Sequence, residues 1–223
     1  MRKSGILMHI SSLPSEYGIG KMGSSAYDFV DFLVQSGVKC WQILPLSPTS
    51  YGDSPYQSFS VYAGNPYFID FDALKQEGLL KKSDYQNIKW QDNPNQVNYS
   101  RIYENCYKVL KIAYKTYRRD ISKKYGSFVE KNKDWLEDYA LFMALKSHFN
   151  NVSWGEWETD IKFRKPEAMS RYEEQLSDDI GYWKFIQFEF YLQWNALKQY
   201  ANSNGIEIIG DIPIYMGYDS VDV

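Results

Sequence analysis

SGILMHISSLPSEYGIGKMGSSAYDFVDFLVQSGVKCWQIL, from Ser4 to Leu44, decides the fold class. Ser4–Ile10 is a short apolar run between turn residues, which is the pattern of a fully buried strand such as a barrel strand. A loop rich in Ser, Pro and Gly follows, and Ser24 or Ser25 at its end can cap a helix. Ala26, Phe29, Val30, Leu33 and Val34 then recur at helical spacing while Asp28, Asp31 and Gln35 face away, and Gly37 supplies the stop. Val38–Leu44 reads as a second strand. A strand, a helix and a strand in this order predict two adjacent parallel strands with the helix laid across them.

The segment that leaves the second strand, LPLSPTSYGDSPYQSFSVYAGNPYFID (Leu44–Asp70), is of another kind. Pro45, Pro48, Pro55 and Pro66, with Gly52 and Gly64, exclude regular helix over most of it. Tyr51, Tyr56, Tyr62 and Tyr67 sit among hydroxyl side chains, and a tyrosine ring offers an apolar face to a pyranose and a hydroxyl to its oxygens. The same rings could instead fill a subdomain core. Position favours a site, because in parallel α/β barrels functional groups collect at the C-terminal ends of the strands.

Farther along, Phe68–Leu80 reads as a short strand and a helix that begins near Asp72 and closes around Gly78. Lys81–Val97 is polar and reads as a mobile connector. Ile102, Cys106, Val109, Leu110, Ala113 and Tyr117 mark one face of a long helix, with Lys108, Lys111 and Lys115 as a solvated flank. A second helix is expected from Asp134, where Asp134 and Glu137 have capping-box spacing, and it is apolar nearly all round. Asn150–Pro166 carries Trp154 and Trp157 in an irregular crossing, and the pair could be a sugar platform or could serve packing. A third helix runs from Gly181 or Tyr182 to Asn204, with Phe185, Phe188, Tyr191, Leu192 and Ala196 on one stripe. A further strand, IEIIG, is followed by DIPIY, which puts Asp211 at a strand's C-terminal end, where a carboxylate can hold sugar hydroxyls or serve only as a turn residue.

Composition narrows the partners. With a net charge of −3 and its 25 Lys and Arg scattered, the chain has no basic field for nucleic acid. No segment approaches ~18 uninterrupted apolar residues, so no membrane span is expected and the cytoplasm is the expected compartment. Cys40 and Cys106 stand alone in apolar surroundings, and His9 and His148 are the only histidines, so neither a disulfide framework, a metal site nor a cofactor is expected.

Ser54–Pro66, SPYQSFSVYAGNP, resembles the signature of the amylomaltases, the 4-α-glucanotransferases or disproportionating enzymes of glycoside hydrolase family 77. The resemblance extends to Ser4–Gly23, Trp41–Gln57, Trp135–Lys146 and Gly205–Val223, and so covers the chain end to end. It implies the N-terminal part of a (β/α)8 TIM barrel, strands 1 to 3, with a large, mainly helical insertion between strands 2 and 3. The implied division is 1–44 for barrel strands 1 and 2, 45–204 for the insertion, and 205–223 for strand 3.

The resemblance also implies a transfer of α-1,4-glucan segments between malto-oligosaccharides by a retaining double displacement. Tyr56 would stack near the sugar next to the scissile bond, Ser54 and Gln57 would frame it, and Asp211 would bond its hydroxyls. Tyr51 and Tyr99 resemble an accessory glucan-binding pair, although Asn98 stands where the family has Asp. His9 becomes either a sugar-side residue or a packing histidine. The family's catalytic carboxylates lie in motifs absent between Met1 and Val223, so the chain is expected to be an N-terminal fragment, inactive by itself. Rival readings are an α-glucan hydrolase of the same superfamily and a non-catalytic glucan-binding or structural protein.

Overall fold

The computed structural model describes residues 2–50 and 52–223. Strands β1 (Gly5–Leu7), β2 (Cys40–Gln42) and β3 (Glu207–Ile209) form one parallel sheet in the order β1-β2-β3. Gly5 pairs with Cys40 and Cys40 with Glu207, so the three strands start in register. The expected strand, helix and strand unit is present, with α1 (Ser24–Gln35) between β1 and β2.

The chain divides into two compact units. The first comprises Met1–Leu46, Gly64–Ile121 and Glu189–Ile212, and the second comprises Ser47–Ala63, Ser122–Phe188 and Pro213–Val223.

In the first unit the sheet and α1 enclose Trp41, Ile10, Val30 and Leu33, all essentially without solvent contact. β1 is shorter and less buried than its apolar sequence predicts, since Leu7 is 55% exposed. Apolarity fixes that a segment can be buried, and only neighbouring elements bury it. Helix α1 is capped by Gly23 through its backbone alone, so Ser24 and Ser25 are its first two residues and neither caps it. Val34 is likewise exposed, because the buried stripe of α1 is the narrower set Ala26, Val30 and Leu33. Gly37, at φ +70°, ends the helix in the left-handed conformation that glycine adopts without a Cβ clash.

The expected strand at Phe68 is instead a single 3-10 turn, Pro66–Phe68, capped by the Asn65 side chain. Asp70 caps α2 (Phe71–Gln76) by accepting from the Ala73 amide at 2.8 Å. Lys81–Val97 is no loose connector: Tyr85 and Trp90 are buried against Phe71 and Tyr17. Its polar composition hid two aromatic anchors. Helix α3 (Tyr99–Tyr117) buries every residue of its expected stripe, and Lys108 and Lys115 lie exposed on its flank.

In the second unit α4 (Lys123–His148) begins eleven residues before Asp134, because the Ser122 side chain already caps it at the Tyr125 amide. Only its later half, from Leu136, is apolar on most sides and buried, as the sequence predicts for that part. Short α5 (Thr159–Lys162) and α6 (Pro166–Gln175) follow. The sequence reading passed over α6, whose start is marked by Pro166 at its first position.

Helix α7 (Ser177–Ser203) contributes residues to both units. Phe185 and Phe188 are buried as expected, but Leu192 and Ala196 are exposed. The stripe is taken over by Gln193, Leu197 and Ala201. Gln193 is tolerated in the core because its amide exchanges two hydrogen bonds with the Asp70 backbone, at 2.7 and 3.3 Å.

Candidate functional site: a braced tyrosine loop

Among the described residues between Leu44 and Asp70 the Pro- and Tyr-rich segment holds no α-helix, as its prolines and glycines dictate. Its tip is a tight turn. The Asp53 amide donates to the Ser50 carbonyl at 3.2 Å, Gln57 N–H donates to the Ser54 carbonyl at 3.1 Å, and Ser50 N–H donates to the Gln57 carbonyl at 3.0 Å. Gly52 at φ +84° and Asp53 at φ +55° carry the reversal. An antiparallel bridge between Thr49 and Ser58 closes the base.

The serines explain how this loop keeps its shape without secondary structure. Ser58 Oγ donates to the Ser60 carbonyl at 2.7 Å and accepts from the Ser60 amide at 3.1 Å. Ser60 Oγ then accepts from the amides of Tyr62 and Ala63 at 3.2 and 3.3 Å. Hydroxyls here replace the backbone partners that a helix or sheet would provide. On this frame Tyr56 stands 45% exposed, with its amide held by Ser54 Oγ at 3.3 Å.

The last residues of the chain fasten the same loop. Asp222 Oδ2 accepts from the Val61 amide at 2.8 Å, and Val221 N–H donates to the Phe59 carbonyl at 2.9 Å. Asp219 accepts from the buried Lys146 ammonium at 2.6 Å and from the Trp154 amide at 3.1 Å. Lys146 also donates to the carbonyls of Asn151 and Val152, at 3.1 and 2.9 Å. Sequence reasoning missed Lys146, Asp219 and Asp222 in this role. The available signal was one lysine inside the apolar run ALFMALK, with a doubled Asp in DSVDV to neutralise it.

Of the residues expected at a sugar site, Ser54, Tyr56 and Gln57 therefore share one turn in the second unit. Tyr99 and Asp211 belong to the first unit. Tyr99 is the first residue of α3, whose cap, Asn98, accepts from the Arg101 amide at 3.2 Å. Asp211 is exposed just beyond β3 and accepts from the Ile212 amide at 2.8 Å. Tyr51 lies outside the described residues.

The other polar constellation of the first unit has a packing role. Asp72 accepts from Tyr17 and Tyr85 hydroxyls at 2.5 and 2.6 Å and faces Lys82 at 3.3 Å. Burial alone would raise its pKa, but these donors outweigh it and hold the carboxyl below its usual value. It borders an open cavity of about 640 Å³ lined by Glu16, Lys21 and Asp70 among others. Lys21 is committed to the carbonyls of Tyr67 and Ile69 at 2.8 and 3.0 Å. His9 is buried, meets Phe68 edge to face at 5.2 Å, and is pushed down to about pKa 4 by burial. These contacts give it a place in the core.

Among the described residues no group of His, Cys, Asp and Glu could hold a metal ion, and no helix is long and apolar enough to cross a membrane. Cys40 and Cys106 are free and buried, and burial raises the Cys106 thiol to about 11.

Comparison with known proteins agrees with this architecture. The chain is 55% identical over 216 residues to a 4-alpha-glucanotransferase of Clostridium butyricum, covering 97% of this chain and 44% of that protein. It is 40% identical to the 4-alpha-glucanotransferase of Thermus thermophilus over its whole length, again 44% of the relative. The solved structure of amylomaltase from Streptococcus agalactiae in complex with acarbose matches with a TM-score of 0.97 at 48% identity, over 100% of this chain and 45% of that one. Amylomaltase from Corynebacterium glutamicum, at 18% identity and a TM-score of 0.72, shares the fold. The chain thus spans a little under half the length of these bacterial 4-alpha-glucanotransferases. The family profile described as 4-alpha-glucanotransferase matches residues 8–223, and the chain belongs to that family, glycoside hydrolase family 77.

Proposed function

We propose that the whole protein moves α-1,4-glucan segments between malto-oligosaccharides by a retaining double displacement, and that this chain supplies part of its sugar-binding surface. Such a transfer needs a nucleophilic carboxylate and an acid–base carboxyl roughly 5 Å apart. In this reading the tyrosine loop furnishes sugar-facing groups and the braces that hold them. The observation that carries the reading is Tyr56, held exposed on a loop braced by its own serines and by Asp222. It does so in a chain whose fold matches an acarbose-bound amylomaltase across its full length.

In this reading Tyr56 stacks on a glucose ring, Ser54 and Gln57 frame it, and Asp211 accepts from sugar hydroxyls. Tyr51 and Tyr99 form an accessory glucan contact. Three strands that are parallel, sequential and in register support a place as strands 1 to 3 of a (β/α)8 barrel. Residues 1–44, 45–204 and 205–223 are then the first two strands, the insertion and the third strand. Two buried free thiols suit a reducing, cytoplasmic compartment, and a net charge of −3 suits a neutral glucan better than nucleic acid.

The test uses the 223-residue chain itself. Maltoheptaose should shift the amide resonances of residues 52–58, and Tyr56→Ala should abolish that shift while leaving the melting temperature nearly unchanged. Thin-layer chromatography after long incubation with maltotriose should show no new glucans. A shift that survives Tyr56→Ala would remove Tyr56 from the site, and a glucan ladder would show that the carboxylate pair is present after all.

A further inference from the structure

Trp154 and Tyr218 form an exposed aromatic stack in the second unit that the sugar site above does not use. Their ring centroids lie 5.0 Å apart at 28°, and Tyr218 is 64% exposed. This exposed pair is held from several sides. Trp154 Nε1 donates to the Tyr218 carbonyl at 2.7 Å, and the Trp154 amide donates to Asp219 Oδ1 at 3.1 Å. Asp219 is itself pinned by Lys146 at 2.6 Å. The Lys162 ammonium donates to the Gly155 carbonyl at 2.6 Å and stands 5.9 Å from the Trp154 ring centroid. Gly155 leaves clearance for the stack, since a Cβ there would come within 3.3 Å of the Tyr218 hydroxyl.

Beside the stack is a mainly apolar pocket of about 250 Å³ lined by Trp154, Lys162, Phe163 and Val221. Its volume falls below the ~300 Å³ at which drug-sized ligand pockets begin, so it suits one ring and not a chain. Phe163 at its lip is 68% exposed. A fixed tyrosine face with a hydroxyl at its edge is chemistry that recognises a pyranose: it meets the apolar C–H faces of the ring and can hydrogen-bond at its edge.

We propose that the Trp154–Tyr218 stack is a second glucan-binding platform, which takes a neutral α-1,4-linked glucan with one glucose unit on the outer face of Tyr218. The proposal rests on the α-glucan reading of the family site but not on the Tyr56 loop. Its ring pair is preorganised before any sugar arrives, so little ordering opposes binding.

The experiment follows the Trp154 indole N–H resonance, assigned by its loss in Trp154→Phe, while maltoheptaose is titrated into the 223-residue chain. The expected result is a saturable shift that persists in Tyr56→Ala. Tyr218→Ala, at an exposed position, should weaken it about 3- to 10-fold, the loss of one aromatic stacking contact. Gly155→Val, which crowds the Tyr218 hydroxyl, should weaken it as well. An indole resonance that stays still while the 52–58 amides shift would overturn this platform and leave the family site standing. If neither region responds, both readings fall, and a shift unaffected by Tyr218→Ala and Gly155→Val would place the sugar elsewhere.

Discussion

The Asp222 carboxylate accepts a hydrogen bond from the Val61 amide at 2.8 Å, joining residues 161 positions apart in sequence. One residue before Asp222, the Val221 amide donates to the Phe59 carbonyl at 2.9 Å, so the two segments meet as a short tie. The tyrosine loop thus owes its conformation to two sources. Its serines satisfy the local amides, and a distant acidic segment satisfies the one at Val61.

Asp222→Ala leaves the half-buried Val61 N–H without its acceptor, which costs about 1–2 kcal/mol. We expect that loss in urea denaturation, together with faster proteolytic cleavage within residues 50–62. Asp222→Asn retains a carbonyl oxygen for Val61 and should lose much less. Equal losses in the two variants would mean that charge, and not the hydrogen bond, is what matters at this position.

Glu189 is 1% exposed in the first unit, and its Oε2 finds no hydrogen-bond partner. Burial first, and the neighbouring Glu77 second, push its carboxyl up to about 8. A raised carboxyl means that the folded chain holds a proton the unfolded chain gives up near 4.5. Its stabilising effect is therefore complete below about pH 4.5 and is lost progressively as pH rises to about 8. Glu189→Gln, which keeps the neutral shape at every pH, should flatten the decline in unfolding free energy between pH 5 and pH 8. Parallel curves for the two proteins would show that Glu189 is ionised in the fold throughout.

His9 acts in the opposite direction. Burial lowers it from 6.5 to about 4, so it is neutral in the fold while the unfolded chain takes up a proton below 6.5. Stability is complete above about pH 6.5 and falls as pH drops towards 4, by up to about 3 kcal/mol. His9→Gln should remove most of that acid sensitivity while lowering stability at pH 7 through its poorer packing on Phe68. Nuclear magnetic resonance titration of the His9 ring protons provides a direct check, and a midpoint near 6.5 would refute the burial argument.

Periodicity made α1 and the α3 stripe legible, because helices that bury one face announce it every three or four residues. The parallel pairing of β1 and β2 was legible for a related reason, since the helix between them dictates it. The start of α4 was not legible, because its first turns are exposed and a serine cap twelve residues before Asp134 leaves no apolar trace. Gln193 and Lys146 defeated the pattern differently. Each is a polar residue at a core position whose partners, the Asp70 backbone and the Asp219 carboxylate, are remote in sequence. The tyrosine loop was recognisable from its motif, while the bonds that shape it became visible only with the chain folded.

Gly64 is the glycine of the AGNP segment, and its reason lies in packing. On one side the next residue is fixed: Asn65 N–H donates to the Leu46 carbonyl at 2.8 Å, and Asn65 Oδ1 accepts from the Tyr67 amide at 3.0 Å. On the other side lies the ring of Phe190, itself 2% exposed, and a Cβ on residue 64 would fall 2.0 Å from its Cδ1 and 2.1 Å from its Cε1. Neither side can yield without breaking a hydrogen bond or moving a buried ring. Gly64→Ala should therefore cost about 1–3 kcal/mol, the scale of an overpacked core. Phe190→Leu alone should cost about 1–2 kcal/mol for its lost volume and shape. Together the two changes should cost less than their sum, because a smaller side chain at 190 makes room for the new methyl. Urea denaturation of the four proteins of this double-mutant cycle measures the coupling directly. Strict additivity would show that Gly64 is tolerated for its backbone and not for the space that Phe190 takes.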